Sequence, residues 1–175
     1  MKRSDLEHVI QAAGAIADDN EIVVVGNQSV LGQFPEAPAE LLRSVEADIY
    51  HHHRPELADL IDGTIGEGSP FHHTFGYYGQ GVGVQTAVLP AGWKDRVIRV
   101  LNANTVGISG LCLDVHDLAI SKYVAVRDKD RAFTRTLARC GIIRRADLLG
   151  RLADTVVRAE MFGLVAARID ADFNA

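Results

Sequence analysis

The run Glu21-Ile-Val-Val-Val-Gly26 constrains this chain most, because four consecutive β-branched residues close on a glycine. Such a run has neither a helical nor an alternating period, and it suits a strand buried on both faces inside a sheet. A neighbour follows in Ser44-Val-Glu-Ala-Asp-Ile-Tyr50. There Val45, Ala47 and Ile49 alternate with Glu46 and Asp48, the period of a half-buried strand. Further strands are expected at Val82–Leu89 and Arg96–Asn102, with a turn at Pro90-Ala-Gly92 between them.

Helices are expected around these strands. Leu6, Val9, Ile10, Ala13 and Ile16 repeat with a helical period over residues 4–17, with Ser4 as N-cap and Glu7 completing a capping box. Asn27 to Leu31 looks like a helix start, cut short before Pro35 and Pro38, and Ala39–Arg43 forms a further helical turn. Pro55 opens a helix to Ile61 at its favoured first position. Residues 63–83 combine glycines with Phe71, His72, His73, Phe75, Tyr77 and Tyr78, which reads as an ordered loop plus a short strand. After Gly110 only helices are expected: Asp114 to Val126, Lys129 to Arg139 stopped by Gly141, and Arg145 to Ile169. In the last of these, Leu148, Leu152, Val156, Met161 and Leu164 read as core positions. The fold class is therefore α/β (α+β). A mixed sheet flanked by helices over residues 1–112 is followed by a helical part, 113–175, packed on it as one unit.

Composition narrows the classes of function. A chain of 175 residues buries roughly 70% of its unfolded surface and needs no disulfide or metal to hold a core. No apolar run approaches the ~20 residues that span a bilayer. The first twenty residues read as an amphipathic helix, not a signal peptide, and Cys112 and Cys140 do not make a disulfide framework. A cytoplasmic protein with no membrane partner is expected. The net charge of −5 argues against a general nucleic-acid coat, yet residues 122–151 hold nine bases and three acids. That stretch suits a local phosphate, or is a solvated helix face.

Three features carry chemistry. At Gly26-Asn27 the chain leaves a buried strand and enters a helical turn, where backbone N–H groups suit phosphate oxygens. Glu46 and Asp48, two residues apart on a strand, project from one face roughly 6–7 Å apart. Beside a phosphate site such a pair favours a hard divalent cation. Finally, Asp114 and Asp117 open a helix that places Lys122 two turns in, followed by Arg127, Lys129 and Asp130.

Taken in order, strand–Gly26–Asn27, Glu46-Ala-Asp48-Ile49 and Asp117-Leu…Lys122…Arg127-x-Lys129-Asp130 resemble the nucleotidyltransferase fold. More narrowly they look like small bacterial proteins related to AbiEii-type toxins of toxin–antitoxin systems. The motifs Gly66-Glu-Gly-Ser-Pro-Phe71, Phe75-Gly-Tyr-Tyr78 and Leu89-Pro-Ala-Gly-Trp93 have the flavour of an uncharacterised bacterial subgroup. The resemblance spans about residues 20–140. It implies that Gly26, Asn27 and Ser29, with Lys122 and Arg127, hold a nucleoside triphosphate. It further implies that Glu46 and Asp48 hold Mg²⁺ (or Mn²⁺), and that Glu46, Asp48, Lys122 and Asp130 are the catalytic set. The implied reaction transfers a nucleoside monophosphate from the triphosphate to a hydroxyl on RNA (tRNA-like), a protein or a small molecule. A cognate antitoxin or toxin would be the partner. The segment Val84-Gln-Thr-Ala-Val-Leu-Pro90 carries no acid, so the third carboxylate comes from Asp114 or Asp117, or the protein is a degenerate fold acting as a binding or regulatory module.

The histidine runs His51-His-His53 and His72-His73 stand apart from this set. With Glu46 or Asp48 they could bind Zn²⁺ or another transition metal, but if residues 51–53 continue the strand, His51 and His53 share one side and only His52 lies on the face of the acids, which disfavours that reading.

Overall fold

The β-branched run becomes the centre of a five-stranded sheet in the computed structural model, which describes residues 1–174. The strands are β1 (Glu21–Val24), β2 (Glu46–His51), β3 (Tyr78–Gly81), β4 (Ile98–Val100) and β5 (Ser109–Cys112), in the order β3-β2-β1-β5-β4. β1 pairs antiparallel with β2, Val24 opposite Ile49, and parallel with β5, Val24 opposite Cys112. β3 runs parallel to β2 and β4 antiparallel to β5. The sheet is mixed, and Ile22, Val23 and Val24 are fully buried, as a strand without an apolar–polar alternation requires.

The chain divides into two compact units. The first comprises residues 1–86 and 97–113 and holds the whole sheet. Its helices are α1 (Arg3–Ala17), the short α2 (Val30–Gln33), α3 (Ala58–Ile65) and α4 (Pro70–Phe75). Leu6, Val9, Ile10 and Ala13 form the buried stripe of α1. Gly110 of β5 and Gly79 of β3 bring the strands close beneath this helix. A Cβ on Gly110 would run into Ile10, and one on Gly79 would meet Ile49, Ile65 and Val9 at 3.0–3.2 Å. Burying side chains such as Ile10 and Ile49 contributes about 1.5–3 kcal/mol each.

Several local expectations are corrected. Helix α1 is capped by Lys2, not Ser4: the Asp5 carboxylate accepts from the Lys2 N–H at 2.7 Å. Glu7 instead turns inward to Arg3, Asn102 and Asn104. Pro55–Leu57 is a 3₁₀ turn that leads into α3. Residues 82–89 form turns and bends instead of a strand, with Val84 and Val88 exposed, because their alternation meets no partner strand. The aromatic segment contains α4, capped by the Ser69 hydroxyl accepting from His72 N–H at 3.1 Å. Ser109-Gly-Leu-Cys112, expected to lie where only helices begin, is the strand that completes the centre of the sheet.

The second unit comprises residues 87–96 and the chain from Asp114 onward. It contains α5 (Val115–Ala125), α6 (Asp128–Arg139), α7 (Arg145–Ala153) and α8 (Ala159–Phe173). Asp114 caps α5 by accepting from His116 N–H at 3.0 Å. The helix expected over 145–169 is two helices broken at 154–158. The break resets the helical phase, so Leu148 and Leu152 are buried while Val156 is 95% exposed and Leu164 is also exposed. Val165 and Ile169 take the core positions of α8. Asp117 is fully buried and clasped by Arg96, through Nε at 2.9 Å and Nη2 at 3.0 Å, and by Arg151 Nε at 2.9 Å. Among the described residues no helix is long and apolar enough to cross a membrane.

Candidate active site

In the first unit the sheet places Gly26 beside the acidic strand. Val25 N–H donates to Asp48 C=O at 3.0 Å, extending the β1–β2 ladder past the end of β1. Gly26 then caps a 3₁₀ turn, Asn27–Ser29, that leads directly into α2. The backbone at Gly26 has φ −86°, open to any residue, so the glycine is not there for its conformational freedom. It is there for space. A Cβ on Gly26 would lie 2.7 Å from Cγ and 2.9 Å from Cβ of Asp48, and closer still to its Oδ2. The Asp48 carboxylate therefore rests against the Gly26 Cα, over the bend that closes β1.

Glu46 lies two residues earlier on the same face, and both acids are half-buried. Tyr78 of β3 sits opposite Glu46 and donates its hydroxyl to Glu46 Oε2 at 3.3 Å. Burial, followed by the charges of Glu46 and Glu67, the hydrogen bond to Glu46 and the charge of Asp48, pushes the Tyr78 hydroxyl up to about 12. It thus stays a proton donor to the acids at neutral pH. Gln80, the β3 residue opposite Asp48, is an amide, and its Nε2 donates to Asp62 Oδ1 at 2.9 Å. Sequence reasoning placed Tyr78 in an ordered loop plus short strand and quoted Glu67 in a motif, but gave neither a part in the site; the loop after α3 brings Glu67 close enough to act on Tyr78.

The turn itself is held from below. Ser29 is fully buried, its hydroxyl 3.1 Å from Val24 C=O and 3.3 Å from Leu113 C=O, so it binds the turn to the sheet. Gln28 Nε2 donates to Ser44 C=O at 2.9 Å, fixing the turn to the start of β2. The amide oxygen of Asn27 is buried without a hydrogen-bond partner, an acceptor that ordinarily costs stability.

In the second unit, Lys122, Arg127 and Asp130 come together. Asp130 is fully buried, with Lys122 Nζ at 3.5 Å and Arg127 Nε at 2.7 Å. Lys122 also lines a cavity of about 220 Å³ with Arg131, Arg135 and Arg168, opposite Asp172. Asp117 is committed to its two arginines and Asp114 to its helix cap, so neither is placed as a general base.

The histidines depart from the strand geometry assumed for them. β2 ends at His51, which is buried with Nε2 2.9 Å from Ala13 C=O. The chain bends at His52-His53, so the parity of a strand no longer separates these two side chains. Their rings meet edge to face at 4.9 Å.

A family described as nucleotidyltransferase of unknown function (DUF6036) matches residues 4–156. No curated protein and no solved structure matches the chain.

Proposed function

Because the chain belongs to this DUF6036 family of nucleotidyltransferases of unknown function, we propose that it transfers a nucleoside monophosphate from a nucleoside triphosphate to an acceptor hydroxyl, the hydroxyl oxygen bonding to the α-phosphorus as pyrophosphate leaves. The observation that carries the reading is the Asp48 carboxylate packed against the Gly26 Cα, with Glu46 two residues away on the same face. A phosphate-binding turn and an acidic pair are of little use apart. Together they make a pocket where a polyphosphate and a cation meet.

The donors here are oxygens only: the carboxylates of Glu46 and Asp48, and the orphaned amide oxygen of Asn27 at the adjoining turn. That set fits Mg²⁺ or Mn²⁺, which take one or two carboxylates together with substrate phosphates and water. When bound, the ion supplies charge neutralisation on the phosphates. The backbone of Gly26 and Asn27 orients the triphosphate, and Tyr78 holds Glu46 in place. Ser29 acts indirectly, by holding the turn against β1. Within the second unit Asp130 holds Lys122 and Arg127 in place. Catalysis is mainly positioning and electrostatics. The acceptor is RNA, a protein or a small molecule, and a role as the toxin of a toxin–antitoxin pair related to AbiEii fits this chemistry.

One observation favours a second reading. With Gln80 opposite Asp48, β3 offers no third carboxylate, so deprotonation of the acceptor falls to Glu67 or to no group at all. In the latter case the pocket binds nucleotide as a regulatory module. Thermal-shift titrations with ATP, CTP, GTP and UTP, with and without Mg²⁺, test binding. Metal-dependent stabilisation lost in Glu46→Gln or Asp48→Asn is the expected result, and no shift with any nucleotide refutes the pocket. Labelled-nucleotide incorporation into RNA or protein, lost in the same variants, separates transfer from binding alone.

A further inference from the structure

We propose that Glu21, His52 and His53 form a second metal site, for a transition-metal dication with zinc the best fit, at the far end of the β1–β2 pair. Glu21 opens β1 and the two histidines follow β2, whereas Gly26 follows β1 and Glu46 opens β2. Four residues of strand separate Asp48 from His52, on the order of 13 Å, so the two sites are independent.

The ligand geometry is close to that of an occupied site. Glu21 Oε2 lies 3.8 Å from His52 Nε2 and 4.0 Å from His53 Nε2, and the three ligand atoms lie within 4.8 Å of one another. Zinc bonds of about 2.0–2.1 Å in a tetrahedral arrangement place ligands roughly 3.3–3.5 Å apart. Contraction by about 0.4–0.6 Å on the two Glu21 contacts, and by up to about 1.4 Å between the histidines, closes the cage by side-chain rotation. The carboxylate oxygen is too far from either imidazole nitrogen to satisfy it by a hydrogen bond.

The groups behind the ligands are already in place. Asp19, with a fully buried carboxylate, is 2.9 Å from His53 Nδ1 and also accepts from the N–H groups of Glu21 and His53, each at 3.0 Å. With Nδ1 turned to the Asp19 carboxylate, His53 keeps Nε2 as its ligand atom, the carboxylate–histidine–metal arrangement common in zinc sites. Arg99 Nη2 binds the other oxygen of Glu21 at 2.8 Å, while Ser109 Oγ fixes Arg99 Nη1 at 2.7 Å. Glu21 is thereby held with Oε2 toward the histidines. Two imidazoles and one carboxylate select zinc over Mg²⁺, which prefers oxygen alone. His53 also borders an open depression of about 510 Å³ lined by Gly14, Asp18, Asn20 and Arg54, so the remaining coordination position faces solvent.

The test uses tag-free full-length protein and competition with a chromophoric zinc chelator. The expected result is one zinc per chain, with affinity reduced at least tenfold in His52→Ala, His53→Ala and Glu21→Gln. Asp19→Asn, which removes no ligand but weakens the hold on His53 and on the backbone of Glu21 and His53, reduces it about 10–100-fold. Binding persists in His72→Ala/His73→Ala and in Glu46→Gln/Asp48→Asn. Melting curves in chelator establish that each variant folds. If Asp19→Asn does not, the partly exposed His52 and the exposed His53 carry the test alone. The proposal is overturned by absence of zinc uptake at micromolar metal, by unchanged affinity in His52→Ala and His53→Ala, or by loss of the zinc in His72→Ala/His73→Ala.

Discussion

A single methyl group on Gly26 tests the geometry of the site directly. The backbone there accepts alanine without strain, so the whole cost of Gly26→Ala falls on Asp48. A new Cβ would stand 2.7 Å from Asp48 Cγ, where ordinary contact begins at 3.4 Å. The carboxyl carbon must retreat by at least about 0.7 Å, and rotation about χ2 cannot achieve this because Asp48 Cβ is also too close. A χ1 swing would carry Cγ away but leave Asp48 Cβ at 2.9 Å, so the strands must part as well. Overpacking of this size costs about 1–3 kcal/mol. For a chain of this length that lowers the melting temperature by about 2–4 °C per kcal/mol. A misplacement near 1 Å at a reacting centre costs on the order of 100-fold in rate. The assay is a double-mutant cycle by thermal and urea melts, with Gly26→Ala measured in the natural chain and in Asp48→Gly. Because the strain comes from Asp48, the substitution should be nearly neutral in the second background. Equal destabilisation in both backgrounds would show that Gly26 is needed for some other reason.

Asp117→Ala strands two guanidiniums, 24% and 28% exposed in Arg96 and Arg151, and is expected to cost about 3–5 kcal/mol in a melt, somewhat less where water reaches the arginines. Leu152→Ala should cost about 2–5 kcal/mol while Val156→Ala stays within about 0.5 kcal/mol, and the reverse order would restore a continuous final helix. Glu7 is held below its ordinary 4.5: burial raises it, but hydrogen bonds from Asn104, Asn102 and Arg3 prevail. Its contribution is therefore complete above about pH 4.5 and lost as acid protonates it. Urea melts across that range should show a steeper acid loss in the natural chain than in Glu7→Gln.

What the sequence revealed followed from how local each signal was. β1 was legible because Ile22 to Val25 suit nothing but a buried strand, and β2 because Ala47 and Ile49 alternate with acids. β5 was not. Ser109 and Gly110 have little strand propensity, and their conformation is imposed by pairing with β1 and by Ile10, which fills the space of a Gly110 Cβ. Val82–Leu89 erred in the opposite direction, with a strand's alternation and no strand to pair with. At the site, the acids and the glycine could be named from order along the chain. Tyr78 and Gln80 could not, because their position opposite Glu46 and Asp48 depends on the register of β3.

The excursion of residues 87–96 has a consequence for biogenesis. Arg96 grips Asp117, and Ala91 N–H donates to Asp154 C=O at 2.8 Å, so this short loop completes its bonds only with residues made much later. On the ribosome the strands from β1 to β5 can all emerge while the loop still lacks its partners. A chain stopped after Leu113 would retain every strand, but lack the Asp117 and Asp154 to which the ten residues in its middle bond.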